Sequence, residues 1–224
     1  MPRVSFPLAV KLPGTHNIFQ RALGYPSALM LKDFNLVVST YRNRENDCIA
    51  ELWYFARELG DKQLDASRTG LPALVVARTS LDPEYFASKA REKILENPWY
   101  FRYILKIVPI HVVVESTIEE ISRAALTLAS SRMAPEDTYK VEAKIRLSDL
   151  SRERIIDAIA SRLKNKVDLT NPQKLIVVEV FGEVAGVAVI PPDLVVSMER
   201  LRREARRARA QSLGGEAEES SSGA

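Results

Sequence analysis

Basic side chains crowd the segment from Lys144 to Lys174. It holds eight lysines and arginines (Lys144, Arg146, Arg152, Arg154, Arg162, Lys164, Lys166 and Lys174) against four acidic residues. Lysine supplies a point charge and arginine a planar fork of donors, and both suit phosphate oxygens. Lys144 and Arg146 are two apart, the spacing of side chains on one face of a strand. Arg152 and Arg154 follow at the start of the next helix, so its free N–H groups and positive end would lie beside them. A strand face and a helix start carrying these groups would track a phosphate backbone. The same charges also suit a solvated strand edge and helix face, and composition leaves both readings open.

Other chemistries find few residues. Cys48 is the single cysteine, and His16 and His111 are the only histidines. No intramolecular disulfide can form, and a cytoplasmic location is expected. A zinc centre would need acidic ligands to complete it, and a Cys–His nucleophile pair would need one histidine to reach Cys48. Cys48 lies among Ile49, Leu52 and Trp53 at helical spacing and is expected in the core. There is no Gly-rich loop for a nucleotide or methyl donor. Ile190-Pro-Pro-Asp193 lacks the aromatic that completes a methyltransferase's proline-proline motif. No catalytic residue, metal ligand or cofactor is therefore expected. Trp53-Tyr54-Phe55 and Trp99-Tyr100-Phe101 could stack bases, but within such segments they are expected to be core. No run of 18 apolar residues exists, so no membrane partner is expected, and the proline-broken N-terminus does not read as a secretory signal.

The elements that would position these residues follow from periodicity. Residues 1–33 hold four prolines and read as a loosely structured arm. Phe34–Tyr41 is a strand. A helix over 45–59 places Ile49, Leu52, Trp53, Ala56 and Leu59 on one stripe and stops at Gly60. Strands near 62–68 and 73–79 flank the turn Thr69-Gly70-Leu71-Pro72. Asp82-Pro83 opens a helix to about Glu96, and Tyr103–Val108 is the next strand. The order βαββαβ is the ferredoxin-like arrangement, assigned to 34–109. It is also the order of the RNA recognition motif, but the strand that should carry stacking aromatics is Ala73-Leu-Val-Val-Ala77.

A second unit, 110–196, starts with a capping box at Ser116-x-x-Glu119 and a helix carrying Ile118, Ile121, Ala125 and Leu128. Residues 139–147 alternate: Tyr139, Val141, Ala143, Ile145 and Leu147 point to the core, and Lys140, Glu142, Lys144 and Arg146 away from it. A helix over 151–164 carries Ile155, Ile159 and Leu163, and Leu175–Phe181 and Ala185–Ile190 form a hairpin. Residues 197–209 carry six arginines and two glutamates with almost no apolar stripe, so a helix there is expected to bury no face. The end, Gly214–Ala224, is low-complexity and expected to be disordered.

Thr138–Arg146, Ser151–Ile159, Lys166–Pro172 and the two strands after them resemble the THUMP domain. Val167-Asp-Leu-Thr-Asn-Pro172 is similar to that family's V-D-L-x-N-P signature, whereas Leu147-Ser148 stands where basic or glycine residues are common in the family. Asn35–Glu45 and Ile107–Ile110 before Thr117–Glu120 resemble the stand-alone THUMP proteins that assist tRNA cytidine acetyltransferase. The resemblance implies an α/β (α+β) protein, with a ferredoxin-like domain followed by a THUMP domain. It also implies RNA binding at the acceptor stem and 3′ end of tRNA. By position it assigns phosphate contacts to Lys144, Arg146, Ser151, Arg152 and Arg154, with Asn171 and Lys174 nearby and Arg42 and Arg44 extending the surface. Lys164 and Lys166 complete the candidate set from the basic segment, and Asp168 and Pro172 are expected to shape a turn.

The expectation is a non-catalytic adaptor whose partners are tRNA and a tRNA cytidine acetyltransferase, with no DNA. No stretch of about 100 residues is left over for a catalytic domain. Two alternatives stand beside it: an RNA-modification enzyme with an unrecognised site, and a scaffold acting through the arginine-rich helix.

Overall fold

The computed structural model describes residues 30–206, so most of the N-terminal arm (1–29) and the tail (207–224) lie outside the described residues. The first unit runs β1 (Leu36–Ser39), α1 (Glu45–Glu58), β2 (Asp65–Arg68), β3 (Leu74–Arg78), α2 (Pro83–Glu96) and β4 (Lys106–Pro109). Helix α1 buries Cys48, Leu52, Phe55 and Ala56, the i, i+4, i+7, i+8 stripe of a helix lying on a sheet. Helix α2 starts where Asp82 accepts from the Tyr85 N–H at 2.8 Å with Pro83 at its first position. Phe55 meets Phe86 and Phe101 edge-to-face, each at 5.1 Å. The last strand of the unit starts later than expected. Residues 102–104 instead wrap over α1, their N–H groups donating to the Glu51 carboxylate.

The second unit is β5 (Val112–Glu115), α3 (Ile118–Arg132), β6 (Tyr139–Arg146), α4 (Arg152–Ala160), β7 (Lys174–Phe181) and β8 (Val184–Ile190). Strand β5, which periodicity missed, pairs antiparallel with β8. The cap of α3 is Thr117, accepting from the Glu120 N–H at 3.1 Å, one residue beyond the expected Ser116, whose hydroxyl has no hydrogen-bond partner. Strands β6 and β7 are parallel, joined through α4, as a β-α-β crossover requires.

After β8 the chain returns to the first unit through a short strand, β9 (Val196–Ser197), which pairs with β4. Two sheets result, ordered β2-β3-β1-β4-β9 and β5-β8-β7-β6. Strand alternation gives each sheet two apolar faces. Leu36 and Val38 face α1 and α2, while Ile176, Val178 and Val180 join a core with Ile121 and Ile155. The opposite faces meet: Val37, Val76 and Val108 pack with Leu175, Val177 and Ile190. The layers are therefore helices, sheet, sheet, helices. Gly186 permits this approach, since a Cβ there would lie 2.9 Å from Phe34 and 3.0 Å from Ile110.

Residues 198–206, following β9, are helical. This helix was expected to bury no face, yet Met198 and Leu201 sit in the first unit's core. Two apolar residues one turn apart suffice because Arg202 adds a staple, donating to the carbonyls of Pro98 (2.6 Å) and Phe101 (2.5 Å). Between the units, the Nε2 of His111 contacts Glu84 of α2 at 2.8 Å, and Arg132 of α3 reaches the same oxygen at 2.5 Å. The Nδ1 of His111 accepts from the Val189 N–H at 3.3 Å, so Nε2 carries the proton. Burial lowers the pKa of His111, which favours this neutral form.

Candidate functional site

Alternation places the basic residues of β6 away from that sheet's helix-side core, but they are only partly in solvent. Register sets Lys144 beside Glu179 and Arg146 beside Phe181, on the face that meets the first sheet. Glu179 is 1% exposed, and its two oxygens hold Lys144 at 3.3 Å and Arg146 at 2.6 Å. Arg146 also lies over the Phe181 ring, 5.2 Å from its centre. A buried carboxylate needs such partners, and here they come from partly exposed cations that keep further donors free.

Across the seam lies Lys106 of β4, which shares a crevice with Lys144, Glu142 and Glu179. Burial, and then the Lys144 charge, push its ammonium down to about 8. Lys106 was not a sequence candidate, because it lay inside a strand-like run far along the chain from Lys144. It pairs with Ser39 at the end of β1, so the following turn, with Arg42 and Arg44, leaves the first sheet from that row. Arg42 has no ion pair among the described residues. Arg44 is partly held, donating to the Tyr103 hydroxyl at 2.6 Å, pairing with Asp47 at 3.1 Å and covering the Tyr103 ring.

Beyond β6, Ser151 caps α4 by accepting from the Arg154 N–H at 3.2 Å, and its own hydroxyl donates to Glu153. Ser151 is thus committed to the helix start. Arg152 and Arg154 are exposed and without ion pairs among the described residues. Leu147, between strand and helix, holds φ 55° and is 71% exposed, and the one charge in this turn is the exposed carboxylate of Asp149.

Lys164, Lys166, Asn171 and Lys174 are not part of that cluster. Lys174 pairs with Tyr139 at the start of β6, whereas Arg146 closes its end. Eight residues of strand separate the two ends by roughly 23 Å. The Val167–Pro172 signature shapes this loop. Asp168 accepts from the N–H groups of Thr170 and Asn171, each at 2.9 Å, and these bonds lower its pKa. Its own N–H donates to the Tyr139 carbonyl, and the Tyr139 N–H to that of Lys166.

Cys48 is buried, its thiol pushed up to about 12 by burial, which makes it a core residue rather than a nucleophile. Among the described residues no group of three His, Cys, Asp or Glu side chains could hold a metal ion, and no helix is long and apolar enough to cross a membrane. The aromatic triplets split. Phe55 and Phe101 are core, but Trp53, Tyr54 and Trp99 are 50%, 69% and 69% exposed.

The family profile of the THUMP domain matches residues 115–190. This stretch is a THUMP domain. It runs from the end of β5 through β8 and contains Glu179, β6, α4 and the signature loop. The solution structure of the THUMP domain of THUMP domain-containing protein 1 is similar at 35% identity, covering 34% of this chain and 88% of that one, with a TM-score of 0.30. TrmN from Thermus thermophilus is 18% identical over 69% of this chain and 44% of its own, with a TM-score of 0.48. A 4-thiouridine synthetase in complex with RNA and ATP is 15% identical over 70% of this chain and 41% of its own, with a TM-score of 0.46. The chain spans less than half the length of the last two. No curated protein matches it significantly.

Proposed function

We propose that this chain is a non-catalytic tRNA-binding adaptor that presents tRNA to a separate modification enzyme. The observation that carries the reading is the basic strand of the THUMP domain meeting Lys106 of the first unit across the seam. Lys106 and Lys144 share that crevice, Arg146 follows two residues on along β6, Arg42 follows the β1 residue that pairs with Lys106, and Arg152 and Arg154 open the helix after β6. Such a line is suited to phosphates of a backbone rather than to base edges. That the RNA is tRNA, gripped at its acceptor stem and 3′ end, rests on the family resemblance. So do the reading of the first unit as ferredoxin-like and the choice of a tRNA cytidine acetyltransferase as partner.

Binding of total tRNA to the full chain, titrated with salt, tests the grip. Affinity should fall steeply with salt, and Lys144→Ala or Arg154→Ala should each reduce the slope by about one. Absence of tRNA binding by the unaltered chain at low salt ends the proposal. The adaptor role is tested by adding the chain to the acetyltransferase and tRNA. Acetylcytidine yield should rise, whereas the chain with common group donors alone should leave tRNA unmodified.

A further inference from the structure

We propose that a pocket on the far side of α1 takes one unpaired nucleobase and its phosphate from a single-stranded stretch of RNA, an inference that rests on the RNA-binding reading above. The pocket has a volume of about 210 Å³ and is lined by Trp53, Arg57, Asp61, Lys62 and Leu64. Trp53 and Arg57 are one helical turn apart, so they share a face of α1. Lys62 and Leu64 lie just before the edge strand β2.

Three observations point to a nucleotide. First, the indole of Trp53 is free. Arg202 and Arg206 lie over the Trp99 ring at 5.3 and 5.8 Å, and Arg44 and Arg102 over the Tyr103 ring. Among the described residues no cation covers Trp53, although it is half exposed. Second, the two cations beside it have no carboxylate partner among the described residues. Asp61 spends both oxygens on internal bonds, accepting from the Gln63 N–H of its own loop and from the Thr79 hydroxyl and the Ser80 hydroxyl and N–H just after β3. Glu58, next to Arg57 in sequence, is taken by Lys93 at 2.6 Å. Third, the space suits a single planar ring system; it is smaller than sites that enclose a whole drug-sized ligand. An aromatic wall with flanking cations is how single-stranded nucleic acid is held without reading its sequence.

Tryptophan fluorescence of the full chain, titrated with a single-stranded adenosine decamer, tests this. Quenching should appear in the unaltered chain and in Trp99→Phe but not in Trp53→Phe. Trp53→Ala should weaken decamer binding roughly 5- to 150-fold, the range set by losing one base stack. Arg57→Ala with Lys62→Ala, both at exposed positions, should weaken it further at low salt and flatten its salt dependence. A 12-base-pair RNA duplex serves as the control and should bind all these variants equally, through the seam. Decamer quenching that persists in Trp53→Phe overturns the pocket assignment while leaving the adaptor reading intact. Loss of both decamer and duplex binding in the unaltered chain overturns both. If Trp53→Ala spares decamer binding but abolishes association with the purified acetyltransferase, the pocket belongs to a protein partner and the inference fails.

Discussion

Lys106 makes the seam's contribution to RNA binding measurable through pH. In the free chain, burial and Lys144 bring its ammonium down to about 8, from an ordinary value of 10.5. A phosphate placed between Lys106 and Lys144 favours the charged form and restores the proton. If only the protonated form binds well, affinity falls with the protonated fraction. That predicts a loss of about tenfold between pH 7 and pH 9, given a free value near 8. Lys106→Arg keeps the charge across this range, so its affinity should be flat. Lys106→Met should be flat and weak. The fold itself responds with the opposite sign: the folded value is depressed, so stability rises as pH climbs from about 8 toward 10.5. Loss of affinity at pH 9 therefore cannot arise from unfolding through Lys106. Fluorescence anisotropy with a labelled RNA duplex at constant ionic strength, run on all three chains, reads the effect. Equal pH slopes for the unaltered chain and Lys106→Arg, or no slope in either, would refute the reasoning.

Four further outcomes follow from the site. Glu179→Gln removes the buried anchor of Arg146 and Lys144. Charge-assisted bonds contribute about 1.5–3 kcal/mol each, with the half-exposed Lys144 at the low end, so the loss should be about 2–4 kcal/mol. The melting temperature should then fall by about 4–16 °C while low-salt RNA affinity holds; an unchanged melt refutes the anchor. Leu147→Gly relieves a left-handed backbone at an exposed side chain and should stabilise by about 1 kcal/mol, a gain that calorimetry would resolve and that a lowered melt would contradict. The double change Arg152→Ala, Arg154→Ala should reduce the salt slope for a short duplex by about two. Lys164→Ala with Lys166→Ala, at the other end of β6, should reduce it only when the duplex is long enough to span about 23 Å; equal effects on a short duplex would place all four in one patch.

Local signals were legible wherever one residue's chemistry decides an element. The alternation of Tyr139, Val141 and Ala143 located β6, and Asp82-Pro83 located the start of α2. Where neighbours compete, the sequence is ambiguous. Ser116-Thr117 precedes Glu119-Glu120, and either hydroxyl could have capped α3. Trp53, Tyr54 and Phe55 cannot all face one core, because successive helical residues are about 100° apart, and Phe55 took the inner position. The site itself was only half legible. The cations of β6 and α4 stood out by type, but their face depended on which sheet packs behind them. Lys106 and Glu179 became visible only through register, since no local pattern links β4 to β6 and β7. Strand β9, two residues long and shortly after a proline pair, carries no periodicity at all.

The placement of these charges across two sheets has a consequence for how the surface is held. Lys106 belongs to one sheet and Lys144 to the other, so their spacing is set by apolar packing in the seam rather than by either unit alone. One close approach in that packing is at Gly186, against Phe34 and Ile110. Gly186→Ala adds a methyl whose carbon would lie 2.9 Å from the Phe34 ring, closer than packed carbons approach, and overpacking of this kind costs about 1–3 kcal/mol. The strain can be relieved by moving the sheets apart, which separates Lys106 from Lys144 without changing any charge. RNA affinity should therefore drop, and the pH slope assigned to Lys106 should shrink as its burial and its neighbour's charge both recede. A variant that melts earlier yet binds RNA with unchanged affinity and pH dependence would show that the seam stabilises the fold without setting the binding surface.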